Sequence, residues 1–287
     1  MRCPVCEEER EQSHTFCFTC GAALQKGQHR HITPEEAQRL LEISFGFEIN
    51  NLINQAIEAY EAILEVSPHY ADVHFKLAVA YEAAGRIGKA ISEYKKAINV
   101  NPQYVNAHRK LGELYSDEGF FDDAINEFST VLKIKQKHFY ADVHNNLGVA
   151  LERASRYKLA MKHYQKAIEI NPNYNRAHFN LGNVYCALDL FDKGVEEYRL
   201  ALDTNPRDAL CLNNLGIALA TQGRLEEARD VLRKAIAIQP NYARAHRNLG
   251  NVYFDLRDLE RAKYSYEQAI QLDPSDARTE ELLNSLK

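Results

Sequence analysis

Four thiols stand in two close pairs at the start of the chain: Cys3-Pro4-Val5-Cys6 and, ten residues later, Cys17-Phe18-Thr19-Cys20-Gly21. Two residues between cysteines let one tight turn offer both sulfurs to a single ion, and two such turns complete a tetrahedron around Zn²⁺. Gly21 suits the left-handed backbone that such turns often need. Four thiolates close the coordination shell, so no position is left for an activated water and the role expected of the ion is structural. Iron in the same sulfur cage and a pair of disulfides are the other uses of four cysteines. So small a module has almost no core, and its fold is expected to depend on the metal.

A second set of chemistry-bearing residues recurs at equal spacing: Asn146, Asn180, Asn214 and Asn248. An amide side chain donates and accepts at once, which suits the backbone of an extended peptide whatever its sequence. Arg109, Arg176, Asn183, Arg244, Arg247 and Asn251 join them as candidate binding residues, and the arginines favour an acidic partner segment. Five histidines, His74, His108, His144, His178 and His246, keep the same period. Their neighbours stand on the order of 10 Å apart, one packed helix layer each, which is too far for shared coordination, so they are expected to pack between helices. Cys186 and Cys211 read as half-buried small residues, not nucleophiles.

What must position these residues is a repeat. Aligned on the proline that ends each unit, the chain falls into seven blocks, 37–70, 71–104, 105–140, 141–174, 175–208, 209–242 and 243–276. Each is 34 residues long except the third, which has Gln136 where the proline should be and two extra residues around His138 and Phe139. Places 7 and 8 pair a large residue with a small one (Leu111-Gly112, Leu147-Gly148, Leu181-Gly182, Leu215-Gly216, Leu249-Gly250), which lets a neighbouring helix approach closely. Place 20 is small (Ala90, Ala124, Ala160, Gly194, Ala228, Ala262) and place 24 large (Tyr94, Phe128, Tyr164, Tyr198, Leu232, Tyr266), an i, i+4 spacing that shares one helix face. Proline tolerates the first turn of a helix and breaks its interior, so it punctuates one block from the next.

These residues resemble the tetratricopeptide repeat family over about residues 37–276. The resemblance implies an all-α, right-handed superhelical solenoid of seven helix-turn-helix repeats whose first helices line a concave groove. A zinc-ribbon module is expected at 1–24, a linker at 25–33, the repeats from 34 to 276 with Thr33-Pro34-Glu35-Glu36 as their N-cap, and a C-terminal capping helix at 277–287. The asparagine ladder is similar to that in the repeats of O-linked N-acetylglucosamine transferases, which implies that Asn146, Asn180, Asn214 and Asn248 grip a substrate main chain. A chaperone-type carboxylate clamp is matched only in part, by Arg109, Asn146 and Arg176, with Glu113 where the clamp needs asparagine. The cysteine pairs resemble short zinc ribbons; the rubredoxin family, which would imply iron, separates its knuckles more widely.

Composition agrees with a soluble globular chain: 45% hydrophobic, 26% charged, net charge -5 over 287 residues. That charge argues against bulk attraction to nucleic acid or anionic lipid, and Arg2, Arg10, Lys26 and Arg30 near the cysteines are offset by Glu7, Glu8, Glu9 and Glu11. No apolar run suits a secretory leader or a membrane span, so a cytoplasmic location is expected. Repeats and metal module leave no room for a catalytic domain, and no phosphate-cradling glycine loop or nucleophile elbow is present. The expected function is a non-catalytic scaffold binding a protein or an extended, acidic peptide; a self-assembling structural protein and a nucleic-acid regulator are the alternatives.

Overall fold

The structure, a computed structural model, describes residues 52–66, 68–134 and 140–286. The cysteine pairs at Cys3, Cys6, Cys17 and Cys20, the linker after them and the first helix of the first block lie outside the described residues. Among the described residues every regular element is helical. The chain divides into two compact units, Met1–Lys135 and Gln136–Lys287, and the division falls where the 34-residue period is interrupted.

The first unit holds α1 (Ile53–Val66), α2 (Ala71–Ala83), α3 (Ile87–Val100), α4 (Val105–Asp117) and α5 (Phe121–Lys133). The second holds α6 (Tyr140–Arg153), α7 (Tyr157–Ile170), α8 (Asn175–Ala187), α9 (Phe191–Thr204), α10 (Ala209–Thr221), α11 (Leu225–Ile238), α12 (Ala243–Asp255), α13 (Leu259–Leu272) and the short α14 (Ala277–Asn284). Helices pair in chain order, α2 on α3, α4 on α5, α6 on α7, α8 on α9, α10 on α11 and α12 on α13, and each pair packs on the next within its unit. In the second unit the first helices of successive pairs also touch: α6 with α8, α8 with α10, α10 with α12.

The turn between the two helices of a pair has one design in the six pairs among the described residues. The residue at place 15 sits at positive φ: Gly85, Gly119, Ser155, Asp189, Gly223 and Arg257. That reversal lets the amide of place 16 reach back to the carbonyl of place 11, as from Arg86 to Tyr81 and from Leu190 to Tyr185, both at 2.8 Å. It is the six-to-one bond of a helix C-cap, and it satisfies a carbonyl that the helix would otherwise orphan. A Cβ on Gly85, Gly119 or Gly223 would meet nothing within 4 Å, so conformation and not crowding selects glycine there.

Within each pair the large side chain at place 24 lies over the small residue at place 8. A Cβ added to Gly148 would stand 2.5 Å from Tyr164, and one on Gly182 would stand 2.7 Å from Tyr198; Gly216 and Leu232 have the same relation at 2.6 Å. Tyr94, Tyr164 and Tyr266 are fully buried, and each hydroxyl finds an acceptor on its partner helix: Glu82 at 2.7 Å, Glu152 at 2.7 Å and Asn251 at 2.9 Å. Burying the ring without that bond would cost about 1–3 kcal/mol. Gly194 is the one glycine at place 20, and the sulfur of Cys186 fills the room it leaves, 2.5 Å from where a Cβ would be.

The last helix closes the second core. Leu282, Leu283 and Leu286 pack against a cluster built from Leu249, Val252, Tyr253, Ala262 and Tyr266. Asp276 caps α14 by accepting from the Thr279 amide at 3.2 Å and the Thr279 hydroxyl at 2.6 Å. Arg247 on α12 donates to the same carboxylate at 2.7 Å. Together, Thr279 first, these donors hold the Asp276 carboxyl below the usual carboxylate range.

Candidate peptide-binding face

Places 2, 6, 9 and 13 of a helix fall on one side of it, and in the second unit this is the side that the first helices of the pairs leave uncovered. Asn146, Asn180, Asn214 and Asn248 at place 6 are half-buried. They are also wired together. Nδ2 of Asn248 donates to Oδ1 of Asn213 at 2.8 Å, Asn213 donates to Asn214 at 3.2 Å, and Asn214 donates to Asn183 at 3.0 Å. Asn183 also accepts the Tyr198 hydroxyl at 2.7 Å. A second chain of the same kind runs from Asn180 to Asn145 at 3.0 Å and on to Asn146 at 3.3 Å.

The inter-block members Asn145 and Asn213 stand at place 5 and are 5% and 4% exposed. The sequence reading missed both. Place 5 alternates between asparagine and Phe179 or Arg247, so the period does not announce it, yet the Asn-Asn doublets at 145–146 and 213–214 were a usable signal. Asn180, Asn214 and Asn248 therefore each hold the preceding block as well as facing outward, while Asn146 is held within its own block, and the bonds they make orient all four.

The remaining candidates separate into groups. Asn183 and Asn251, at place 9, each have Oδ1 held by a buried tyrosine, Tyr198 and Tyr266, which leaves the NH₂ end turned away from the core. Arg176 and Arg244 at place 2 are exposed. Arg247 is engaged with Asp276 of the capping turn. Arg109 lies on α4 in the first compact unit, 3.5 Å from Glu113, where Lys110 shares the same carboxylate at 3.5 Å. Within the second unit the candidates lie on α8, α10 and α12, with Asn146 on α6 leading into them.

The histidines pack between helices and make specific bonds that the sequence reading did not assign. His74, His108 and His178 are buried, each with Nε2 on the carbonyl of the proline six residues earlier (Pro68, 2.9 Å; Pro102, 3.1 Å; Pro172, 2.9 Å). Nδ1 of each meets a carboxylate at place 23: Glu93 at 2.7 Å, Glu127 at 2.6 Å, Glu197 at 2.6 Å. The Glu197 bond is the main force raising the His178 pKa; around His108, burial opposes the charge and the Glu127 and Pro102 bonds outweigh it. In the block starting at Ala141 the carboxylate is replaced by His163, whose Nδ1 lies 2.9 Å from Nδ1 of His144. Two imidazoles this close cannot both carry a bond proton, and burial followed by the His163 charge lowers the His144 pKa to about 4.

Among the described residues no three histidine, cysteine or carboxylate side chains converge to hold a metal. Cys211 is fully buried and its thiol is pushed up to about 12 by that burial, which rules it out as a nucleophile near neutral pH. Among the described residues no helix is long and apolar enough to cross a membrane.

Stacked helix pairs with a 34-residue period, a place-8 notch and a polar face define an α-helical repeat protein. Tetratricopeptide repeat profiles match residues 51–92, 141–174, 163–196, 197–230 and 243–276, and a profile described as TPR repeat matches 83–119 and 218–257. The matches span well over half of the sequence, and the chain belongs to the tetratricopeptide repeat family. No curated protein matches it. Among solved structures it is similar to YrrB, described as a TPR protein with an unusual peptide-binding site (25% identity, 66% of this chain and 97% of that one, TM-score 0.57). It is also similar to MamA (27% identity, 58% and 96%, TM-score 0.55). A tetratricopeptide repeat protein from Parabacteroides merdae ATCC 43184 shares the fold over 87% of this chain and 98% of that one, with 18% identity and a TM-score of 0.64.

Proposed function

We propose that the chain is a non-catalytic scaffold that holds an extended peptide, or an extended segment of a partner protein, against the exposed face of α6, α8, α10 and α12. The observation that carries this reading is the oriented amide array: Asn183 and Asn251 turn donors outward, and the ladder asparagines are held in register by the bonds between blocks. A main chain presents donors and acceptors at regular intervals, and fixed amides meet it without first losing rotamer freedom. The similarity to YrrB, whose description names a peptide-binding site, supports the same reading. Arg176 and Arg244 on that face favour an acidic segment.

The reading extends to the N-terminus. Cys3, Cys6, Cys17 and Cys20 would hold one Zn²⁺ as four thiolates in a closed, structural site, the donor set and spacing being those that zinc prefers. A cytoplasmic location belongs to the same reading, since free thiols and thiolate-bound zinc persist under reducing conditions.

The test is affinity capture on the immobilised full chain, set beside a variant with Asn146, Asn180, Asn214 and Asn248 changed to alanine and checked for helical content by circular dichroism. Loss of captured partners with the helices intact supports the face; an unchanged capture profile sinks it. Metal analysis of the purified chain should find one zinc per molecule, lost on changing Cys3 and Cys6 to serine.

A further inference from the structure

The exposed face of the second unit is not uniform. At place 2 the series runs Arg176, Leu210, Arg244, and at place 9 it runs Asn183, Ile217, Asn251. So α10 turns outward two aliphatic side chains, Leu210 at 50% and Ile217 at 42% exposure, where its neighbours on either side present arginine and asparagine. Beside Ile217 a cavity of about 230 Å³ opens between α10, α11 and α12. Ile217, Ala220, Leu232 and Val252 give it an apolar lining, and Asn248, Asn251 and Asp255 add polar groups to it. By the roughly 30 Å³ that a liquid water occupies, the cavity has room for one branched aliphatic side chain.

The two amides in this lining are held in opposite senses. Nδ2 of Asn248 donates to Asn213, which keeps its nitrogen end on that neighbour and its oxygen at the other end; Oδ1 of Asn251 accepts from the Tyr266 hydroxyl, which keeps its oxygen end there and its NH₂ at the other. An acceptor and a donor side by side match the N–H and C=O of one extended residue. Asn248 cannot flip without setting its oxygen against the Oδ1 of buried Asn213. Leu210 and Arg244 lie seven residues before Ile217 and Asn251 on their helices, about 10 Å along the axis, which an extended chain covers in about three residues.

We propose that this cavity is a side-chain pocket that selects the partner peptide, taking a leucine, isoleucine or methionine side chain whose main chain is held by Asn248 and Asn251. An acidic residue about three positions away pairs with Arg244 or Arg176. The inference rests on the peptide-binding reading of the face and adds what that peptide must contain. Asp255 in the lining disfavours an acidic side chain in the pocket itself, which places the acidic residue at the arginine end. The alternation of Arg, Leu, Arg along place 2 supplies the charge complementarity that a purely apolar surface would lack.

The experiment uses the full chain and fluorescently labelled synthetic peptides, polar and extended, with a central leucine and glutamates at the stated spacing, beside versions carrying serine for leucine or lysine for glutamate. Two substitutions alter the pocket with residues the repeat already accepts at equivalent places: Ile217→Asn, as at Asn183 and Asn251, and Ala220→Phe, as at Phe254. The leucine peptide should bind the unaltered chain about tenfold or more tighter than the serine peptide, the range expected for a few methylenes in a pocket. Both variants should abolish that preference while still binding the serine peptide, and melting curves should show both folded. A preference that survives both substitutions, or peptides that bind without regard to the central side chain, overturns the pocket and leaves the face reading standing. Peptides that bind neither with leucine nor with serine overturn both readings. If peptides fail and light scattering shows self-association that Ile217→Asn removes, the occupant is a second copy of the chain and the peptide proposal is overturned.

Discussion

Nδ1 of His178 lies 2.6 Å from Oε2 of Glu197, while Nε2 of the same ring lies 2.9 Å from the carbonyl oxygen of Pro172. Both partners are acceptors, so both ring nitrogens must donate, and the charged imidazolium is the form that fits. The His178 pKa is raised above its ordinary 6.5. A raised base contributes stability in full below the unfolded value and loses it as pH rises through the folded one. Glu197→Gln should therefore cost about 1.5–3 kcal/mol in slightly acidic buffer, the range for a bond to a charged group, and much less in alkaline buffer. Chemical denaturation of both proteins at the two pH values checks it; a gap that ignores pH would refute the charged pair.

The block starting at Ala141 should respond to acid with the opposite sign. His144 has its pKa lowered to about 4, and His163 beside it is lowered by burial, so the unfolded chain takes up protons near pH 6.5 that the folded chain refuses. Stability is present above that pH and is lost as pH falls toward about 4. His163→Glu rebuilds the arrangement of the neighbouring blocks and should remove the acid sensitivity. Melting temperature against pH for both proteins decides the matter, and parallel curves would contradict the assignment.

Three turns carry a strain that their glycine counterparts do not. Ser155 and Asp189 sit at φ 59 and Arg257 at φ 65. A left-handed residue with a Cβ costs roughly 1–2 kcal/mol, partly offset by the greater unfolded-state freedom of glycine. Arg257→Gly should stabilise by about 0.5–1 kcal/mol and Asp189→Gly by less, since aspartate tolerates this region better. Gly223→Ala should destabilise by about 1 kcal/mol with no steric clash to blame. Urea midpoints at constant m-value give the answer.

Crowding predicts a second glycine effect of different origin. Gly148→Ala places a Cβ 2.5 Å from the Tyr164 ring, which is fully buried and hydrogen-bonded to Glu152, and overpacking of this kind costs about 1–3 kcal/mol. Gly194→Ala meets the sulfur of Cys186 instead. There the double variant Gly194→Ala with Cys186→Ala should recover most of the loss, because place 12 is already alanine in the block that holds Ala220. Failure of the second substitution to rescue would show that the 3.2 Å approach to the Gly182 carbonyl is the limiting contact.

Much of this architecture was legible because a period multiplies every signal. The notch at place 8, the ring at place 24 and the proline at place 32 each recur often enough to define helices, faces and boundaries before any coordinates. What escaped were relations between places. Glu93, Glu127 and Glu197 stand at place 23 in three of the five blocks that have histidine at place 4, yet only the packed pair shows that the two meet. Arg247 looked like a free cation on the binding face because the direction of the capping turn, and with it Asp276, is a tertiary fact. The positive φ of Ser155, Asp189 and Arg257 was hidden because glycine, its usual marker, is absent there.

The histidine at place 4 has a consequence for how the stack fails. In a repeat array the total stability separates into terms belonging to single blocks and terms belonging to the joints between them. The ring over the notch is internal to one block, whereas the bond from His178 to Pro172 crosses a joint. Protons leaving that imidazole leave one ring N–H for two acceptors, Pro172 across the joint and Glu197 inside the block, so alkaline pH should loosen a seam and the helix pair behind it together, at the one ring that fastens both.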